Sequence, residues 1–203
     1  MLRLFLLRHG ETDFNLQKIV QGGGIDSDLN LTGYNQGEKF HKRYQSARFD
    51  AIYCSGLKRT RQTLHAFSKE GKEIISLEGL NEMGWGELEG KPFDPVSHAA
   101  FLAMNEKWAK GELNLALPGG ESPQYVWERS SAAVLEIEKR HKNGNVLICT
   151  HGRTLRILLS GMCGYGLDKM NWFPHENTGL NILRRQGTQW QFEKINCLQH
   201  LAG

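Results

Sequence analysis

The chain has 203 residues, 39% hydrophobic and 23% charged, with 25 Lys+Arg against 22 Asp+Glu and a formal net charge of +3. Its length fits one domain with a single substantial core better than two. So small and evenly spread a surplus excludes nucleic acid as an expected partner, and no apolar run approaches the ~18 residues of a membrane span.

Met1 to Leu7 is apolar but far too short for a signal-peptide core with its cleavage site. Leu2 to Leu7 reads as a first strand. From Thr32 to about Tyr44, Gly33, Gly37, Phe40 and Tyr44 share one helical face. Ala51 to Cys54 is a short strand, followed by a helix from about Leu57 to Ser68 with Leu57, Leu64 and Phe67 inward. Ile74 to Leu77 reads as a third strand. Residues 91 to 120 are the least regular part, holding three of the five prolines and a short helix around Ala99 to Lys110. Ser122 is a candidate N-cap with Pro123 at the first helical position, and that helix runs to about His141. Val146 to Cys149 is a buried-type strand, and the helix after Gly152 carries Leu155, Leu158, Leu159 and Met162 on one face. Strands at Gly179 to Leu183 and Gln189 to Ile195 finish the sheet. This alternation predicts a three-layer α/β/α sandwich with a mainly parallel central sheet. One domain spans 1–203, with 91–120 as a lid-like insertion. Cys54, Cys149, Cys163 and Cys197 form no CxxC pair, and the expected location is the cytoplasm.

One local pattern occurs twice. Leu4-Phe5-Leu6-Leu7 runs into Arg8-His9-Gly10, and Val146-Leu147-Ile148-Cys149 runs into Thr150-His151-Gly152. Ligands of open parallel sheets bind beyond the carboxyl ends of the strands, so both imidazoles are expected at one edge. A helix starts directly after the second and adds its positive end to that edge. Arg59, in the first turn after the second strand, can point back over the same edge. Glu82 lies in a loop after the third strand.

At these residues the sequence resembles the phosphoglycerate mutase-like, or histidine phosphatase, superfamily. Arg8-His9-Gly10-Glu11-Thr12 through Asn15 is similar to the family's RHGxTxxN stretch, and Gln21-Gly22 to the family segment next in order. Ser55 to Thr63 resembles SxLxRAxxT, and Leu80 to Gly90 the loop that carries the acid. Pro118 to Ser122 matches PGGES, and Thr150-His151-Gly152 the second histidine. Two departures stand out. Arg153 occupies a place where a small residue or Asn is usual, and Gly22-Gly23-Gly24 is richer in glycine than the family pattern.

The resemblance implies metal-independent hydrolysis of a small phosphorylated metabolite, with no cofactor. His9 is the implied nucleophile, Glu82 the general acid and then base, and His151 a further catalytic residue. Arg8, Arg59, Asn15 and His151 are implied to hold phosphate, while Glu11 and Glu121 are either supporting or structural. Candidate substrate contacts are Gln21, Gly22, Trp85 and Arg153, with Phe93, Phe101 and Trp108 either lining the mouth or forming the core of a lid helix. A homodimer stays open. A phosphoglycerate mutase is the first alternative, weakened because Met83 follows Glu82 and residues 91–120 contain no arginine. A cysteine phosphatase is the second, although Cys149 lacks the C-x₅-R spacing. A catalytically silent phospho-ligand binder is the third.

Overall fold

The structure is a computed structural model that describes residues 1–92 and 94–202. In chain order the elements are β1 (Leu2–Arg8), α1 (Asp13–Leu16), α2 (Leu31–Tyr44), β2 (Ala51–Cys54), α3 (Lys58–Thr63), α4 (His65–Lys69), β3 (Ile74–Ser76), α5 (Pro95–Ala109), α6 (Pro123–Arg140), β4 (Gly144–Thr150), α7 (Gly152–Met162), β5 (Leu180–Gln186) and β6 (Gln189–Cys197). They build one six-stranded sheet in the order β3-β2-β4-β1-β5-β6. The pairings among β3, β2, β4 and β1 are parallel, whereas β5 runs antiparallel to both β1 and β6. The last two strands are joined by Gly187 and Thr188, with Gly187 at φ 60°, as a two-residue hairpin requires. The sheet is thus mainly parallel with an antiparallel edge.

Both faces of β1 and β4 are buried, which is why these strands read as continuous apolar runs. Leu4, Leu6, Val146 and Ile148 face a cluster with Val134, Ile137, Leu155 and Leu158 of α6 and α7. Phe5, Leu7, Leu147 and Cys149 face the opposite cluster, with Phe40 of α2 and Leu64 and Phe67 beyond α3. Each fully buried side chain of this kind contributes roughly 1.5–3 kcal/mol. The helix expected from Leu57 to Ser68 is broken. Leu64 leaves helical angles (φ −95°, ψ 6°), and its amide closes a tighter turn onto the Arg61 carbonyl. The break turns Leu64 and Phe67 together into the second cluster.

A third cluster sits above the carboxyl end of the sheet. There Phe101, Met104 and Trp108 of α5 meet Met83, Trp85, Ile157, Leu167 and Met170. The helix starts at Pro95, earlier than expected, because the Asp94 carboxylate caps the amides of Val96 and Ser97. Among the described residues no helix is long and apolar enough to cross a membrane.

Candidate active site

β1 and β4 are paired in register from Leu2↔Gly144 to Arg8↔Thr150, so the next residues, His9 and His151, leave the sheet side by side. Their rings lie 5.2 Å apart between centroids. Both are almost completely buried. The turn that carries His9 is held by its neighbours: the Gly10 amide donates to Thr63 Oγ1 at 2.8 Å, and the Glu11 amide to Gln36. Gly33 of α2 is essential to this packing, since a Cβ there would collide with the Glu11 carbonyl.

His9 Nδ1 is 2.7 Å from the Gly10 carbonyl oxygen, which can only accept. Nδ1 therefore carries the ring proton and Nε2 its lone pair. Nε2 has no hydrogen-bond partner among the described residues. Burial, then the Arg59 and Arg8 guanidinia, push the His9 pKa well below its ordinary 6.5. The group is a neutral imidazole with one free nitrogen.

Arg59 is fully buried. Its Nε donates to His151 Nδ1 at 3.2 Å, Nη1 to the Ile25 carbonyl at 2.6 Å and Nη2 to the Gly22 carbonyl at 3.3 Å. Three of its five N–H groups are thereby spent and two remain. Arg8 is freer. Nη1 donates to the His175 carbonyl at 2.6 Å, while its buried Nε has no partner. An orphaned, buried cationic donor costs free energy unless an anion meets it. Burial lowers both guanidinia to about 10, with Glu82 the largest counteracting charge for each. Both stay protonated at neutral pH.

The tautomer of His151 follows from Arg59, whose Nε can only donate. His151 Nδ1 accepts, so Nε2 is protonated and donates to Ser55 Oγ at 2.7 Å. Both ring nitrogens are thus spent on the protein. To hold a phosphate oxygen, as expected from the sequence, Nε2–H would have to leave Ser55. In this geometry it accepts from Arg59 Nε and flanks His9.

Glu82 is 7% exposed and sits at the start of α7. Oε1 accepts from the amides of Met83 and Thr154 at 2.8 and 3.0 Å and from Thr154 Oγ1 at 3.2 Å. Oε2 accepts from the Arg153 amide at 3.1 Å. The carboxylate thus fills the N-cap role that His151 leaves open and faces the positive helix end. Asn15 Oδ1 accepts from the Thr12 amide and from Asn177 Nδ2, which leaves its own amide N–H groups to donate.

The remaining sequence candidates are placed differently. Gln21 accepts from Thr12 Oγ1 and donates to Ser27 Oγ. Gly22 lends its carbonyl to Arg59 and to the Ile25 amide; a Cβ on Gly22 or Gly24 would strike the Glu89 carboxylate, and one on Gly23 the Glu82 carbonyl, which accounts for the glycine run. Trp85 and Trp108 are buried in the third cluster rather than lining the mouth, with Phe101 packed beside them; Phe93 lies outside the described residues. Arg153 turns away from the two histidines into these rings. Its guanidinium lies 5.3, 5.7 and 5.6 Å from the centroids of Trp85, Phe101 and Trp108 and donates to Asn171 and Asn105. Glu11 accepts from Asn30, and Glu121 pairs with Arg129. Cys149 belongs to the sheet core, where burial pushes its thiol well above the ordinary range, so it is no thiolate nucleophile.

The segment before β5 also contributes, unforeseen from the sequence. Asn177 Nδ2 donates to the His9 carbonyl and to Asn15 Oδ1, both at 3.1 Å. Thr178, at φ 53°, sends its amide to the carbonyls of Arg8 and His9. A cavity of about 500 Å³ opens onto Arg8, lined by Phe14, Asn15, Lys18, Ile19, His98 and Asn177. Among the described residues no group of three or more His, Cys, Asp or Glu is arranged to hold a metal ion.

The family model of the histidine phosphatase superfamily (branch 1) matches residues 4–198. A metal-independent phosphoserine phosphatase of Arabidopsis thaliana is 30% identical over 210 residues, covering 98% of this chain and 83% of the relative. Phosphoserine phosphatase 1 of Hydrogenobacter thermophilus is 27% identical over 203 residues, covering 100% and 95%. Among solved structures, a mutant phosphoserine phosphatase of Entamoeba histolytica in complex with phosphoserine superposes with a TM-score of 0.86. It is 26% identical and covers 99% of this chain and 100% of its own.

Proposed function

The chain belongs to the histidine phosphatase superfamily, and from that premise we propose that it hydrolyses a small phosphorylated metabolite through a phosphohistidine on His9. One observation carries the reading: a neutral His9, its proton fixed on Nδ1, presents a free Nε2 in the field of the buried Arg59 and the partly buried Arg8. A phosphomonoester dianion repels nucleophiles, and its charge spreads over three equatorial oxygens during transfer. The spare N–H groups of Arg8 and Arg59 and the Asn15 amide meet those oxygens.

His9 Nε2 attacks phosphorus in line, the P–O ester bond breaks, and Glu82, entering this step protonated on Oε2, gives that proton to the leaving oxygen and becomes the carboxylate. The Glu82 carboxylate then takes a proton from water, whose oxygen attacks the phosphohistidine. The P–N bond breaks, and phosphate and neutral His9 are released. Two guanidinia supply the positive charge for transfer, so no metal enters the scheme.

The leaving group occupies the cavity over Arg8. Its lining of Lys18, His98, Asn15 and Asn177 beside Phe14 and Ile19 suits a small polar group, and the relatives' substrate puts phosphoserine first among those to try. Residues 91–120 act as the lid, with α5 bringing His98 to that cavity. The four free cysteines fit the reducing cytoplasm.

A panel of phosphoserine, 3-phosphoglycerate and p-nitrophenyl phosphate, run with and without EDTA, tests this reading beside His9→Ala. Wild type is expected to turn over with EDTA present and to take up ³²P from labelled substrate. His9→Ala is expected to do neither. Sustained turnover by that variant sinks the nucleophile assignment.

A further inference from the structure

Glu82 stands on a loop with little regular structure of its own. Its carboxylate is oriented from the front by α7, but the backbone that carries it is tied from behind. Arg129, on α6, donates through Nη1 to the carbonyls of Gly79 and Asn81, both at 2.9 Å. Nη2 donates to the Glu82 carbonyl at 3.0 Å and to Glu121 Oε2 at 2.8 Å, and Nε to Glu121 Oε1 at 2.9 Å. All five N–H groups of the guanidinium are spent on fixed acceptors. Glu121 Oε2 also accepts from the Gly84 amide at 2.8 Å. The loop is therefore gripped by one forked ion pair on both sides of Glu82. It is also pressed onto α6, since a Cβ at Gly79 would lie 2.7 Å from the Arg129 carbonyl oxygen.

Arg129, Glu121 and Glu82 itself border a cavity of about 350 Å³, separate from the one over Arg8. With every N–H of Arg129 spent on the loop carbonyls and on Glu121, the pair acts on the reaction through the backbone that carries Glu82. We propose that Arg129 and Glu121 are positioning residues that fix the Glu82 carboxylate against the leaving oxygen, and so set how well the enzyme cleaves esters of poor leaving groups. The proposal rests on the reading of Glu82 as proton donor. A lysine cannot replace the fork, because a point charge on a flexible stem cannot hold three carbonyls and a carboxylate in one plane.

The test compares kcat/KM for p-nitrophenyl phosphate, whose leaving anion is stable without a proton, with that for phosphoserine and glycerol 2-phosphate, whose alkoxides are not. The full-length chain is used with Arg129→Lys, Glu121→Gln and Glu82→Gln. Loss of a general acid costs about 10²–10⁴, so Glu82→Gln is expected to lower the alkyl-to-aryl ratio by that order. Misplacement by about 1 Å costs on the order of 10². Arg129→Lys is therefore expected to lower the same ratio about ten- to a hundredfold, and to add nothing to it in the Glu82→Gln background. If Arg129→Lys does not fold, Glu121→Gln, which keeps one acceptor oxygen, carries the comparison.

An unchanged ratio in both Arg129→Lys and Glu121→Gln, alongside a lowered one in Glu82→Gln, overturns the proposal. So does a further drop in the double variant. A ratio untouched by Glu82→Gln overturns the assignment of the acid itself, which is a separate failure.

Discussion

Arg59 offers a measure of how much of the rate comes from a fork and how much from charge alone. Three of its N–H groups hold His151, Ile25 and Gly22, and two are left for phosphate oxygens in a fully buried position. Loss of one preorganised donor of this kind costs about 10²–10³ in rate, or roughly 2.7–4 kcal/mol. The charge alone is worth about 4 kcal/mol at 4 Å and an effective dielectric of 20. The two figures measure one interaction in two ways and do not add, so Arg59→Ala is expected to slow phosphoenzyme formation by about 10²–10³, toward the upper end. Arg59→Lys keeps the charge and loses the fork, and is expected to retain part of that rate, at about ten- to a hundredfold below wild type. Rapid-quench measurement of ³²P on His9 under single-turnover conditions isolates the step from product release. A folded Arg59→Ala that labels within about threefold of wild type refutes the assignment, since no donor worth the figures above would have been lost. Equal rates for Ala and Lys would show instead that only the fork matters.

Four imidazoles give the stability a predictable pH dependence. Burial, as the first cause, holds His9 and His151 well below 6.5, His175 at about 3 and His200 at about 4. Below pH 6.5 the unfolded chain binds protons that the folded one refuses. Stability is therefore full above that pH and falls as the medium turns acid, by up to about 1.4 kcal/mol per pH unit for each imidazole. Denaturant unfolding at pH 7 and pH 5 checks this, and equal midpoints would contradict it. Arg153 is lowered to about 9 by burial, then by Arg156, and its guanidinium has no carboxylate among its hydrogen-bond partners. Arg153→Met keeps the stem and gives the three rings a thioether, so unfolding free energy is expected to hold within about 1 kcal/mol or rise. KM is expected to rise severalfold as Asn105 of α5 loses its bond from Arg153. A loss above about 3 kcal/mol would show that the bonds to Asn105 and Asn171 outweigh the cost of burying the charge.

What the sequence disclosed about the site depends on where each partner atom lies. His9 and His151 were legible because a strand-His-Gly ending is local, and parallel pairing turns two local patterns into one edge. Arg59 was legible because one helical turn after β2 fixes its direction. Asn177 and Arg129 were not, since they act on backbone carbonyls 168 and 47 to 50 residues away, and no spacing rule reports such a partner. Arg153 shows the same limit from the other side. Its place beside the second His-Gly is plain, but its direction is decided by an aromatic pocket that α5 builds from a distant segment. The antiparallel edge, by contrast, carried a readable mark in the two-residue Gly187-Thr188 link.

The electrostatics of the site tie the nucleophile to its substrate. Burial keeps His9 unprotonated and lowers Arg8 and Arg59 only to about 10, so at neutral pH the site holds two guanidinium charges and a free imidazole lone pair. The same two charges that depress His9 are the ones a phosphate dianion meets. Their pull on the imidazole therefore acts fully while the site awaits an anion, when it prevents protonation. Once two negative charges lie between Arg8 and Arg59, that pull is cancelled and the electron density on Nε2 is restored as the P–N bond forms. The orphaned Arg8 Nε gains its partner in the same event. On this reading the desolvation of the guanidinia is not incidental to folding. A bound phosphate offsets its cost, most of all in the transition state, where the equatorial oxygens draw on both forks at once.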